Sequence, residues 1–245
     1  MICKTRNSQQ MLFNGDVALI TGAGRGIGRA IALCFARKGA RIALTGRDMG
    51  RLELVAHEIK AVGGEAAAFS LDVTRDDDAG RVAEEVIGKW GRIDVLVNNA
   101  GVITYDTPLW ATTMEQWDEV MNTNLRGMHQ VCRAVIPHMV RRKRGVIINL
   151  GSSSGRRPDS EYGAYATSKW GVVGYTASLA QSLRPYGIRV NGINPDWVDT
   201  NMARAYNPSG NPEWIAPEEV AQAALYLAAQ APAMMTGQFI DLFGN

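Results

Sequence analysis

The sequence predicts an α/β fold, a single doubly wound and mostly parallel sheet of seven strands flanked by helices. Three observations carry that expectation. Short apolar runs recur along the chain, nearly continuous, as strands buried on both faces require. Longer amphipathic stretches separate them, so strand and helix alternate over the full length. No repeat, linker or low-complexity segment interrupts the alternation.

In chain order the strands are expected at DVALIT (16–21), ARIALT (40–45), AAAFSL (66–71), DVLVNN (94–99), GVIINL (145–150), IRVNGI (188–193) and GQFIDL (237–242). Helices are expected at roughly 26–39, 48–62, 75–90, 113–140, 163–184 and 217–230. Residues 200–216, TNMARAYNPSGNPEWIA, are the least regular internal stretch and suit a loop or short lid. Residues 1–14 are polar, lack the apolar core of a signal peptide, and read as a flexible arm. The 245 residues leave room for two small domains, but the unbroken alternation favours one over 15–245.

A hydrophobic fraction of 46% with 20% charged residues is enough for a sizeable core. A net charge of +2 gives no electrostatic case for nucleic acid or an anionic membrane, and no stretch suits a membrane span. The three cysteines, Cys3, Cys34 and Cys132, are odd in number and far apart, so no disulfide framework is expected. With His57, His129 and His138 they form no ligand pattern, so no metal is expected either. The expectation is a soluble, cytoplasmic protein.

The first strand runs into TGAGRGIG (21–28) and then into a helical pattern. Glycines allow a tight turn and a close approach of backbone to phosphate, and the helix N-terminus offers free N–H groups. The dinucleotide pattern G-x-G-x-x-G is not strictly met, because Ile27 stands at its last glycine when counted from Gly22. A purely structural turn is the competing reading.

TGAGRGIG resembles the TG-x-x-x-G-x-G turn of the short-chain dehydrogenase/reductase family. NNAG (98–101), YATSK (165–169) and VNGINP (190–195) are similar to three further motifs of that family, in the same order. The resemblance spans about residues 14–242 and looks closest to the 3-oxoacyl-[acyl-carrier-protein] reductase-like members. It implies a Rossmann fold that interconverts a carbonyl and a secondary alcohol by hydride transfer. It further implies Asn124, Ser152, Tyr165 and Lys169 as catalytic residues. Cofactor contacts are implied for Gly22, Gly24, Gly26, Ile27, Gly28, Asp72, Val73, Asn99, Ala100 and Gly101. Pro195, Val198 and Thr200 would lie near the nicotinamide, with Tyr165 and Lys169. Asp72 has an equal competing role, capping a helix that begins at Thr74. A homotetramer packed through the long helices is also implied.

The second strand ends LTGR, so Gly46 stands where an acidic residue would bond the ribose hydroxyls, and Arg47 follows. Arginine can hold a 2′-phosphate by a charge-assisted bidentate contact, and Arg25 adds a second cation. NADP(H) is therefore favoured over NAD(H). Asp48 sits one residue too late, unless a shifted loop brings it in.

Positions i and i+4 share a helix face, so Lys169 lies one turn beyond Tyr165. A nearby ammonium favours phenolate and is expected to lower the Tyr165 pKa, suiting it to proton donation. Tyr162 is seven residues before Lys169, almost two turns away, and is expected to line a pocket or pack at the helix start. Ser152 can donate to a developing alkoxide. Asn124 is expected either to hold a backbone kink and a relay water, as the resemblance implies, or simply to satisfy local backbone.

The chain departs from the family pattern at PDWVDT, where Asp196 follows the proline in place of the usual glycine. Aspartate tolerates unusual backbone angles better than most residues, so the turn is expected to survive. Substrate-facing candidates are Tyr105, Trp110, Arg156, Arg157, Tyr162 and Trp197. The basic run RRKR (141–144) is either a docking patch for an acidic acyl carrier protein or a solvated helix end. A polyol, sugar or steroid-like alcohol is the alternative substrate class, and a catalytically silent dinucleotide sensor the alternative of another kind.

Overall fold

The computed structural model describes residues 11–105, 107–157, 160 and 162–244. Seven strands form one sheet: β1 (Val17–Thr21), β2 (Arg41–Gly46), β3 (Glu65–Ser70), β4 (Val95–Asn98), β5 (Gly145–Leu150), β6 (Ile188–Pro195) and β7 (Phe239–Leu242). Their spatial order is β3-β2-β1-β4-β5-β6-β7, and every pairing is parallel. The order reverses at β1, so β1 and β4 diverge into a crevice at their carboxyl ends.

The helices are α1 (Gly26–Ala36), α2 (Met49–Ala61), α3 (Asp78–Trp90), α4 (Met114–Met121), α5 (Met128–Arg142), α6 (Gly163–Leu183), α7 (Asn201–Tyr206) and α8 (Pro217–Leu225). The pleat sends alternate β1 side chains to opposite faces. Ala18 and Ile20 join a core with Phe35 of α1, Leu52 of α2 and Leu225 of α8. Val17 and Leu19 join the other, with Val86 of α3, Val135 of α5 and Val172 of α6. Burial on both faces is why these strands read as continuous apolar runs.

Four departures from the sequence expectation have local causes. Phe13 is 2% exposed and its ring centroid lies 4.9 Å from that of Phe35, so residues 11–14 are tied to the core. The rest of the expected arm lies outside the described residues, as does Cys3. Helix α3 begins at Asp78, because Asp72 folds the preceding segment into a turn. Its Oδ1 accepts from the Thr74 amide at 3.0 Å and the Thr74 hydroxyl at 2.7 Å.

The long helix expected over 113–140 is interrupted at Asn122–Gly127 by a π turn, one wider turn of backbone between α4 and α5. The irregular stretch 200–216 begins with α7, whose N-cap Thr200 accepts a hydrogen bond from the Ala203 amide at 3.3 Å.

Candidate active site

A cavity of about 550 Å³ opens over the carboxyl ends of the central strands, from the β1–α1 turn to the start of α6. Its floor is the glycine turn. Gly22 (φ +65°) and Gly26 (φ +53°) occupy the left-handed region. A Cβ on Gly26 would lie 3.1 Å from Thr200 Cγ2, so the turn closes against the segment after β6. Arg25, the N-cap of α1, makes no side-chain cap bond, which leaves the first helix amides to other acceptors.

Gly22, Gly24, Arg25, Gly26 and Ile27 line the cavity, but Gly28 does not. A Cβ on Gly28 would lie 2.6 Å from Asn99 Nδ2, so this glycine lets α1 start tightly against the turn instead of facing a ligand. Asn99 fastens the opposite wall: its amide donates to Thr21 Oγ1 at 2.9 Å and its Nδ2 to Thr21 O at 2.8 Å. The Ala100 amide shares the same hydroxyl at 3.0 Å. Thr21 thus clamps the β1–α1 turn to the loop after β4, a role that the glycine-centred reading passed over.

Arg47, Asp72, Val73, Ala100 and Gly101 also line the cavity, with Pro195, Val198 and Thr200 across from them. Arg51 lines it too, unforeseen, because one helical turn brings it back beside the glycine turn. Asp48 is engaged locally. It caps α2 by accepting from the Arg51 amide at 3.1 Å and pairs with the Arg51 guanidinium at 2.9 Å.

At the far end lie Ser152, Tyr165 and Lys169, the last two one turn apart on α6. Lys169 is 6% exposed; its Nζ donates to Leu150 O at 2.8 Å and lies 5.4 Å from the Tyr165 ring centroid. Burial pulls the Lys169 ammonium down to about 8. Burial also pushes the Tyr165 phenol up to about 12; its hydrogen bond with Ser152 opposes the rise and Tyr105 adds to it. The shift is thus opposite to the lowering expected from Lys169: burial governs this phenol, and the group that opposes it is Ser152. Ser152 accepts from the Ser154 amide at 3.2 Å, heading a 3-10 turn over 153–155.

Asn124 sits in the π turn, buried away from the cavity lining. Its Oδ1 accepts from the Val102 amide at 2.8 Å, while Nδ2 donates to Val102 O at 2.9 Å and to Ser168 Oγ at 3.0 Å. It ties the loop after β4 to α6 between Tyr165 and Lys169.

Tyr105, Tyr162 and Trp197 line the cavity and belong to one aromatic assembly with Tyr206. Tyr105, Tyr206, Trp197 and Trp214 stack in succession at centroid spacings of 5.3, 5.3 and 5.6 Å. Tyr162 meets Tyr105 edge-on at 86°. The Tyr105 hydroxyl donates to Met202 O, so the irregular segment after β6 is held over the cavity.

Three sequence candidates fall elsewhere. Arg156 pairs with Asp241 at 3.4 Å and its guanidinium lies 5.2 Å from the Phe239 ring, on β7 outside the cavity lining. Arg157 covers Phe243 at 4.7 Å, and Trp110 is 89% exposed. A guanidinium on an aromatic face keeps its charge near solvent while covering apolar surface, which explains both arginines.

The basic run lies at the opposite edge of the sheet. Arg142 pairs with Asp94 at 3.0 Å and Arg144 with Asp16 at 3.0 Å, beneath the amino ends of β4 and β1. Asp196 needs no unusual backbone, since Lys143 is the single non-glycine residue with positive φ among those described. No described helix is long and apolar enough to cross a membrane, and no described group of three His, Cys, Asp or Glu is placed to hold a metal.

A glycine cradle at the crevice of a doubly wound sheet, with tyrosine and lysine one turn apart beside it, defines an NAD(P)-dependent oxidoreductase. The family signature described as short chain dehydrogenase matches residues 16–210, and the chain belongs to that family. Among curated proteins it is similar to 3-oxoacyl-[acyl-carrier-protein] reductase FabG of Thermotoga maritima, 37% identical over 244 residues, covering 96% of this chain and 99% of that protein. Among solved structures it is similar to a short-chain type dehydrogenase/reductase from Mycobacterium marinum, with 33% identity, a TM-score of 0.89 and 96% of each chain covered. Another is a putative NAD(P) dependent gluconate 5-dehydrogenase from Beutenbergia cavernae with bound NADP, at 34% identity and TM-score 0.86, covering 93% of this chain and 94% of that one.

Proposed function

We propose that the protein is an NADP(H)-dependent carbonyl reductase, or alcohol dehydrogenase in reverse, with Tyr165 as its acid/base. The observation that carries this reading is the placing of Ser152, Tyr165 and Lys169 together at one end of a cavity whose other end is the glycine cradle. The left-handed glycines and uncapped α1 amides suit a pyrophosphate, and the bound cofactor would supply the hydride. The chain's own residues handle the proton. A phenol raised to about 12 is protonated at neutral pH, ready to donate to an oxygen gaining charge. Ser152 stabilises that oxygen from the side, and Lys169, anchored on Leu150 O, steadies the phenolate left behind.

Arg47 and Arg25 beside the cavity support NADP(H), as does the engagement of Asp48 with Arg51. The name of the Thermotoga maritima relative puts 3-oxoacyl thioesters among the first substrates to assay. A carrier protein would have to approach from the cavity side, since Arg142 and Arg144 are paired at the far edge. A hydroxylated ketone or polyol is the second substrate reading, favoured by a carboxylate in the cavity, Asp196. The proposed assembly is a homotetramer packed through α4–α5 and α6; sedimentation as a monomer overturns it.

The deciding experiment is Tyr165→Phe with NADPH and a panel of 3-oxoacyl thioesters, ketones and polyols. Loss of at least about a hundredfold in kcat, with NADPH binding retained, is expected from losing the proton donor. Near-normal turnover overturns the assignment, and NADPH binding by the unaltered protein without turnover of any compound favours the sensor reading.

A further inference from the structure

We infer that Asp196, with Ser153, is the specificity determinant of this site and selects substrates bearing a hydroxyl next to the reacting carbonyl. This rests on the carbonyl-reductase reading above and names its substrate class.

Strands β5 and β6 run side by side with Leu150 opposite Ile193. The pairing continues past the strand ends, where the Gly151 amide donates to Ile193 O at 2.8 Å. Three residues beyond each partner of that pair stand Ser153 and Asp196, and the Ser153 hydroxyl donates to Asp196 Oδ1 at 2.9 Å. The carboxylate is therefore held on the same rim as Ser152, one residue along from the group that faces the reacting oxygen. Both side chains of the pair line the cavity.

One carboxylate oxygen is fixed by Ser153. No described side chain is bonded to the other, and Asp196 joins no salt bridge among the described residues. Trp197 and Tyr162 line the same cavity, their ring centroids 6.3 Å apart. A carboxylate lining a cavity that also carries aromatic rings has to be met by a donor once substrate displaces water, or its desolvation goes uncompensated. A plain acyl chain offers no donor.

A hydroxyl on the neighbouring carbon offers one and adds no charge. An ammonium would also donate, but it would share the cavity with the Lys169 ammonium and with Arg25 and Arg47. The neutral donor is the better match, as in α-hydroxyketones and the vicinal diols that they form on reduction. The same logic makes Asp196 a device against apolar ketones, which would bury the carboxylate without a partner.

The test compares matched ketones with and without the α-hydroxyl, in the unaltered protein, Asp196→Gly and Asp196→Asn, with saturating NADPH. The expected result is a crossover. Asp196→Gly loses roughly tenfold to a hundredfold in kcat/KM on the hydroxyketone, the range for a hydrogen bond to a charged group, and gains on the plain ketone. Asp196→Asn, which keeps an acceptor oxygen without charge, falls between, so misfolding of one variant does not decide the outcome. Binding of the two ketones to Tyr165→Phe, read by tryptophan fluorescence, should show the same preference without turnover. Equal preference before and after substitution overturns the proposal, as does a stronger preference for the matching aminoketone. Failure of Tyr165→Phe to affect any turnover would instead sink the carbonyl-reductase reading, so the two failures are distinguishable.

Discussion

Replacing Lys169 by methionine should make the protein more stable at neutral pH while abolishing its activity. The side chain is 6% exposed, and burial lowers its pKa from 10.5 to about 8. That drop corresponds to about 3 kcal/mol spent at pH 7 on keeping the ammonium charged in the folded state. Against this, Lys169→Met loses the hydrogen bond to Leu150 O, worth about 1–2 kcal/mol. The net expectation is a gain of about 1–2 kcal/mol at pH 7.

The pH dependence separates these contributions. Between pH 8 and 10.5 the unfolded chain holds the lysine proton and the folded one releases it, so the unaltered protein gains stability as pH rises. Below about 8 both states are charged and the penalty is fully present; above 10.5 both are neutral and it is gone. The advantage of Lys169→Met should therefore shrink through this window and reverse before its upper end, where only the lost hydrogen bond to Leu150 O remains. Urea unfolding of both cofactor-free proteins from pH 7 to 10 measures it, the other titrating groups cancelling in the difference. A difference that stays flat with pH, or a less stable variant at pH 7, refutes the reasoning.

Two further outcomes follow from the same geometry. Arg47→Ala should raise KM for NADPH about tenfold and leave that for NADH almost unchanged, as the proposed role of this exposed guanidinium at a 2′-phosphate requires; a strong NADH preference in the unaltered enzyme contradicts this. Phe13→Ala should cost about 3–5 kcal/mol in urea unfolding, since it empties a buried site against Phe35, whereas a change below about 0.5 kcal/mol would restore the loose-arm reading.

The elements most legible in the sequence were those governed by local pattern. Buried parallel strands advertise themselves as apolar runs, and each of the seven expected strands overlaps an observed one. The cavity candidates came from motif spacing, which survives folding because a helical turn fixes Tyr165 relative to Lys169. Features set by long-range packing were illegible. Arg156 and Arg157 look like cavity residues until β7 brings Phe239 and Phe243 beneath them. Phe13 looks like part of a polar tail, because its partner Phe35 lies far along the chain. The proximity of Lys169 to Tyr165 shows in sequence, whereas the desolvation that raises the Tyr165 pKa shows only in three dimensions. Asp196 stands out in the sequence as a departure from the family pattern, but its pairing with Ser153 depends on two strands meeting.

The π turn at Asn122–Gly127 also bears on how such motifs are inherited. A wider turn takes up one residue more than an α turn, so α5 is rotated out of phase with α4 by about one position. Deleting a single residue on either side of Asn124 would keep the glycine turn, NNAG and YATSK letter for letter. It would also let one straight rod form, swinging Asn124 away from Val102 and Ser168. What the fold preserves here is an angular offset between two helices, and a count of matching letters would miss its loss.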